Sequence, residues 1–227
     1  MTKSEHHSAF PTLLASTVHD IKNSLGTLLA LVEQLEQTGA SNLTDDCRHL
    51  RFEATRINHS LMQLLVLHKI DTRKFALAID QYPALDLINE AKAQQDRLAW
   101  LNRLDVRVQC TGDLVCYCDY QIVSNALGTV LNNAQRYSRR CILMSASQQD
   151  AYLRFCIEDD GEGYPPHLLA ADLGSQDRFD WATGNSGLGL YFVAAVASLH
   201  KNQGRSGFVQ IDNDSALGGA RFSLYLP

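Results

Sequence analysis

Residues 152–165 read YLRFCIEDDGEGYP. An apolar run from Tyr152 to Ile157 predicts a strand, which leaves through Glu158, Asp159 and Asp160 into Gly161 and Gly163. An acid at a strand exit, followed by two glycines, sets a carboxylate beside backbone that a ligand can approach closely. Such a carboxylate accepts a hydrogen bond from an exocyclic amine. The same residues also suit a plain acidic turn, so the flanking sequence decides.

Downstream, Gly184-Asn185-Ser186-Gly187-Leu188-Gly189-Leu190 opens an apolar stretch, and a helix is predicted at about 187–201. Glycines at a helix start expose backbone N–H groups and suit phosphate. The segment is not a Rossmann fingerprint, because Phe192 stands where the third glycine belongs. No Gly-Lys-Ser/Thr follows, so it is not a P-loop either. Upstream, residues 129–137 (TVLNNAQRY) close a helix predicted at about 120–137. There Asn133 lies within one turn of Arg136 and Tyr137. An amide oxygen suits Mg²⁺, and a guanidinium suits phosphate. Taken alone, these residues read as the polar end of a buried helix.

The first third of the chain has a different pattern. Leu14, Val18, Ile21, Leu25, Leu28, Val32 and Leu35 recur at spacings of four and three, as do Leu43, Cys47, Leu50, Ala54, Ile57, Leu61, Leu64 and His68. Both are heptad seams. Gly39 ends the first helix, and Thr44 is the expected N-cap of the second. Each helix would span roughly 40 Å, too long for a lone hairpin to bury its own stripe. Pairing two hairpins into a four-helix bundle solves this, so a homodimer is expected. His19 falls just off the seam, next to Asp20 and on the same face as Asn23. An adjacent acid can take the Nδ1 proton and leave Nε2 as a nucleophile. The other seven histidines, His200 among them, read as surface, seam or tail residues.

From about Phe75 the pattern is mixed. A helix is predicted at about 84–101, with strands near 105–109, 114–118, 140–147, 151–158, 206–212 and 219–226. Strands grouped with helices, without strict alternation, predict an α+β sandwich. The domain division is therefore 1–74, a helical hairpin, and 75–227, an α/β sandwich.

Composition narrows the function. Of 227 residues, 20 are Lys or Arg and 25 are Asp or Glu, a formal net charge of −5. Residues 1–74 hold 8 basic and 8 acidic side chains, leaving 12 and 17 for the rest. That gives no basic field for nucleic acid. No 18-residue apolar run predicts a membrane span, and the opening lacks a signal-peptide pattern, so a cytoplasmic location is expected. Six cysteines, at 47, 110, 116, 118, 141 and 156, form no C-x-x-C pair and read as reduced packing residues.

In order and spacing, these elements together resemble a bacterial sensor histidine kinase core over residues 10–227. Such a core joins a dimerisation and histidine-phosphotransfer hairpin to a Bergerat-fold ATP-binding domain of the gyrase/Hsp90/kinase/MutL superfamily. The resemblance implies His19 as phosphoacceptor, Asp20 as its acidic neighbour, and Asn23 at the Thr/Asn position tied to phosphatase activity. It implies Asn133 as the magnesium-binding asparagine, followed by Arg136 and Tyr137. Asp159, Gly161 and Gly163 match the adenine box, and Gly187, Leu188 and Gly189 the second glycine box. Gly218-Gly219-Ala220-Arg221-Phe222 resembles the terminal Gly-x-x-Phe strand. ATP and Mg²⁺ are the implied cofactors, and a separate response-regulator receiver is the implied partner. A separate sensor protein is implied if Met1 is the natural start, since only 18 residues precede His19. The chain departs from the family at Thr129, where a second asparagine is common, which implies weakened metal binding. The 164–186 segment is a modest ATP lid, with Phe179 as its expected anchor. Two further readings fit the motifs: a phosphotransfer adaptor with a dead ATP site, and a serine kinase or anti-sigma factor of the same superfamily.

Overall fold

The structure is a computed structural model. It describes residues 21, 23–28, 30–31, 43–72, 74–102, 104–111, 113–170 and 188–227, with part of the side chains in the helices 43–71 and 84–102. His19, Asp20, Gly187 and Phe179 lie outside the described residues. Two compact units are present, Met1–Phe75 with Asp180–Leu188, and Ala76–Phe179 with Gly189–Pro227.

In the first unit, residues 23–28 are helical and α1 spans Leu43–Asp71. The helix α1 starts at Leu43, which puts Thr44 within its first turn. Burial departs from the expected seam. Leu64 is buried, but Leu61 and His68 are exposed, while Leu67 and Gln63 are buried in their place. The inward arc is thus turned around α1 from the heptad stripe. One copy of the chain covers only one side of that stripe, whereas a bundle seam needs two.

The second unit contains β1 (Asp80–Pro83), α2 (Ala84–Asn102), β2 (Asp105–Cys110), β3 (Val115–Cys118), α3 (Tyr120–Tyr137), β4 (Cys141–Gln149) and β5 (Tyr152–Asp159). These are followed by α4 (Pro166–Leu169), α5 (Leu188–Leu199), β6 (Lys201–Asn202), β7 (Arg205–Ser206), β8 (Phe208–Asp212) and β9 (Arg221–Leu226). Five strands form one sheet in the order β2-β4-β5-β9-β8. Only β2–β4 is parallel; the other pairs in that sheet are antiparallel. Strand alternation sends one residue in two to the core. Leu153, Phe155 and Ile157 of β5 face inward together with Ile142 and Met144 of β4 and with Phe222, Leu224 and Leu226 of β9, all nearly inaccessible. From the helices, Leu87, Ile88, Val123, Leu127, Leu131, Val193 and Val196 are also fully buried. This is the α+β sandwich that the sequence predicts.

Sequence reading missed two small pairings. Strand β1 pairs antiparallel with β3, and β6 and β7 form a two-stranded ribbon turning through Gln203 and Gly204, both at positive φ. On β3, Cys116 and Cys118 share the buried side, as alternation requires. A hydrogen bond to Cys118, then burial, raises the Cys116 thiol far above its ordinary pKa. Neither thiol is in a disulfide, so both are unreactive core groups.

Asp119 starts α3. One of its carboxylate oxygens accepts from Ile122 N at 3.3 Å as an N-cap, and the other accepts from Ala78 N at 3.0 Å. Asp119 N in turn donates to His200 Nε2 at 3.2 Å, while His200 Nδ1 lies 2.8 Å from the Val196 carbonyl oxygen. This corrects the reading of His200 as one of the surface, seam or tail histidines, for it is 2% exposed. Its ring satisfies an otherwise unpaired N–H at the start of α3, and this requires the neutral tautomer with the proton on Nδ1. Burial accordingly lowers its pKa below the ordinary 6.5, against smaller raising effects of the Val196 carbonyl and Asp119.

The unfolded chain therefore protonates His200 first. The stability given by the neutral ring is complete above 6.5 and is lost as pH falls from there through the lower folded value. Urea denaturation of the whole chain is expected to show a lower midpoint near pH 5.5 than near pH 7.5. In His200→Gln, which has no charge to gain, that difference shrinks.

Candidate nucleotide site

The site is organised by the end of β5. Asp159 is 6% exposed. Its Oδ1 accepts Gly161 N at 2.8 Å and Ala220 N at 3.1 Å. Asp159 N donates to Ala220 O, Gly219 N donates to Asp159 O, and Ser215 Oγ donates to the same oxygen at 2.9 Å. Oδ2 has no hydrogen-bond partner among the described residues. One carboxylate oxygen is thus spent on orientation, and the other remains an acceptor for a ligand N–H.

The neighbouring glycines are dictated by space. A Cβ on Gly161 would stand 2.5 Å from the Tyr137 carbonyl oxygen and 2.9 Å from Asp159 Oδ1. A Cβ on Gly219 would stand 2.5 Å from Asp159 Oδ1 and would also strike Gly161 N. Gly163 has φ +84, and the volume a side chain would need there is filled by Asn213. That asparagine clasps Tyr164, accepting from its N at 2.6 Å and donating to its O at 3.0 Å. Burial foremost, and then the charges of Asp159 and Asp212, raise the Tyr164 phenol above its ordinary value.

Asp160 has a different task from Asp159. Its carboxylate accepts Arg139 N at 2.8 Å and Arg140 N at 3.0 Å. Burial alone would raise its pKa, but N–H groups of Arg140, Cys141 and Arg139 outweigh that and hold it below its ordinary value. Asp160 thereby ties the exit of β5 to the turn after α3. Sequence reasoning found the glycines and Asp159 but missed Asp160, Asn213 and Ser215. Asp160 was visible only as a second acid. The partners of Asn213 and Ser215 lie about fifty residues away along the chain.

The last turns of α3 complete the site. Asn133 is half-buried, Thr129 is buried, and Arg136 and Tyr137 are exposed, with the Arg136 guanidinium carbon 5.9 Å from the Tyr137 ring centroid. Gly189 packs on this helix: a Cβ there would lie 3.0 Å from Thr129 Cγ2 and 3.6 Å from Asn133 Nδ2. The structure therefore brings together Asn133, Tyr137, Asp159, Gly161, Gly163 and Gly189, and adds Gly219 and Ala220. Leu188 is the first residue of α5 and is buried. Asn23, in the first unit, is exposed on a helical stretch, where its carbonyl accepts Thr27 Oγ1 at 3.2 Å.

A half-exposed amide, an acid with one unsatisfied oxygen and two glycines crowded against it make a cradle of backbone and polar groups. Sequence comparison gives that cradle a family. Residues 119–227 match the family described as histidine kinase-, DNA gyrase B-, and HSP90-like ATPase. These residues belong to that family. Over its wider length the chain is similar to sensor histidine kinases. It is 25% identical over 208 residues to sensor histidine kinase YkoH of Bacillus subtilis, covering 88% of this chain and 45% of that protein. Sensor protein DivL of Caulobacter vibrioides is 26% identical over 217 residues, 92% of this chain and 27% of that one. The chain thus spans less than half the length of these relatives. Among solved structures, Acinetobacter baumannii histidine kinase AdeS superposes with a TM-score of 0.65 at 17% identity, covering 92% of this chain and 96% of that one.

Among the described residues no helix is long and apolar enough to cross a membrane. No cluster of three or more His, Cys, Asp or Glu that could hold a metal ion occurs among them either. The Asn133 amide oxygen is a hard donor of the kind that leaves Mg²⁺ most of its waters.

Gly219→Ala is expected to destabilise the second unit by about 2 kcal/mol, because its new Cβ meets backbone and the oriented oxygen of Asp159 and nothing flexible. A lower urea midpoint with an unchanged slope is the expected reading.

Proposed function

We propose that the chain is a two-component histidine kinase. The reading rests above all on Asp159: its Oδ1 is held by two backbone N–H groups, leaving Oδ2 as an acceptor for the adenine amine. Gly161 and Gly163 allow the tight turn that holds this acid, since the Tyr137 carbonyl and the Asn213 side chain fill the space a Cβ would need. Leu188 and Gly189 at the start of α5 offer N–H groups to phosphate, Gly187 precedes them in the sequence motif, and Arg136 adds a guanidinium. Bound Mg²⁺, held through Asn133, supplies charge neutralisation of the triphosphate.

His19 is the nucleophile. Its Nε2 lone pair forms a bond to the γ-phosphorus as the bond from phosphorus to the β–γ bridging oxygen breaks, and ADP leaves with that electron pair. Asp20 takes the Nδ1 proton. The phosphoryl group then passes from Nε2 to an aspartate of a separate response-regulator receiver. Asn23, exposed on its helical stretch, orients water for the reverse, dephosphorylating activity. The reading also makes the first unit a dimerisation element. Leu25, Leu61, Met62 and Leu65 are each about half exposed there, and burying such side chains against a second copy is favourable by roughly 25 cal/mol per Å².

Purified chain incubated with radiolabelled ATP and Mg²⁺ tests the proposal. The expected label is acid-labile and base-stable, and absent in His19→Gln. Asp159→Asn keeps the orienting oxygen but removes the charge, and should weaken nucleotide binding at least tenfold. Acid-stable label would point to a serine kinase. Nucleotide binding without any label would point to an adaptor.

A further inference from the structure

Thr129 is 4% exposed and lies one helical turn before Asn133. Its hydroxyl donates to the Asn125 carbonyl oxygen at 2.8 Å. In a β-branched side chain that bond selects the χ1 rotamer, so the methyl Cγ2 is held in one direction. It is directed at Gly189, where an added Cβ would stand 3.0 Å from it and 3.6 Å from Asn133 Nδ2. Gly189 therefore rests on the Thr129 methyl with the Asn133 amide alongside.

We propose that Thr129 is a positioning residue for the nucleotide. Its γ-methyl sets the spacing between Gly189 on α5 and Asn133 on α3, and its hydroxyl serves to aim that methyl. A side chain at this position could instead act through a metal-bound water, and then the hydroxyl would be the working group. Burial of the residue and the bond to Asn125 favour the methyl. This inference rests on the nucleotide-binding reading above, and deepens it by naming what fixes the phosphate end of the site.

The two roles separate in the binding of a fluorescent ATP analogue to the full chain, titrated with Mg²⁺ and again with EDTA. Thr129→Ser keeps the hydroxyl and drops the methyl. It is expected to bind roughly fivefold more weakly, equally in both conditions. Thr129→Val keeps the methyl and should restore most of that loss, with the parent's ratio of Mg²⁺ to EDTA affinity. Gly189→Ala should weaken binding, and adding Thr129→Ser should win part of it back, since the new Cβ then has room.

Parent-like binding by Thr129→Ser overturns the proposal. So does loss of the Mg²⁺ effect in Thr129→Val, or plain additivity in the Gly189 pair. Circular dichroism melting establishes that each variant is folded. If Thr129→Ser is not, the Mg²⁺ response of Thr129→Val still decides. A parent chain that fails to bind the analogue at all removes the nucleotide reading, and the proposal with it.

Discussion

The arrangement turns on a carboxylate whose two oxygens are in unlike situations. At Asp159 one oxygen receives two backbone N–H groups, from Gly161 and Ala220. The other is left for whatever enters. An acid this buried is costly unless its hydrogen bonds are made by groups that cannot move away. Backbone amides at the junction of a strand and a loop meet that demand. They also bring the loop so near that side chains are excluded at two positions. The glycines here follow from where the acid must sit.

From that point the constraint spreads outward. Gly161 abuts the Tyr137 carbonyl, so the end of α3 is set by the same turn. Asp160 then secures the chain leaving α3 by accepting two N–H groups of the arginine pair. Asn133 lies one turn back from that fixed end, and Gly189 lies against the same helix. Charge and shape are thus divided between neighbours. Asp159 keeps one oxygen unengaged, Asp160 spends its carboxylate on the scaffold, and each loses its place if shifted by one residue.

Much of this was legible in the residues. The helix over 120–137 shows in its apolar residues, and the long strands show in their alternation. What escaped is what distance along the chain creates. Strand β1 is Asp-Gln-Tyr-Pro, a poor strand by composition, and it exists because β3 pairs with it. The β6–β7 turn puts a glutamine at positive φ, where asparagine would have signalled a hairpin. His200 sits between Leu199 and Lys201 and reads as a surface, seam or tail residue; its partner Asp119 is 81 residues upstream. In the first unit the heptad named Leu64 correctly but placed Leu61 inward with it, because periodicity describes all the apolar faces a helix has and not which of them one copy covers. The glycine motifs were readable because they are local, whereas Asn213 and Ser215 act on residues far away in sequence.

The bond from Ala220 N to Asp159 closes a loop of 61 residues that includes the whole segment between the two glycine boxes. Long closures are slow to form. A growing polypeptide on the ribosome can therefore pair β4 with β5 and still have no oriented acid. Only when the segment around residue 220 has emerged and docked does the pocket acquire its shape. A half-made chain in this way lacks the oriented acid until the start of its last strand is in place.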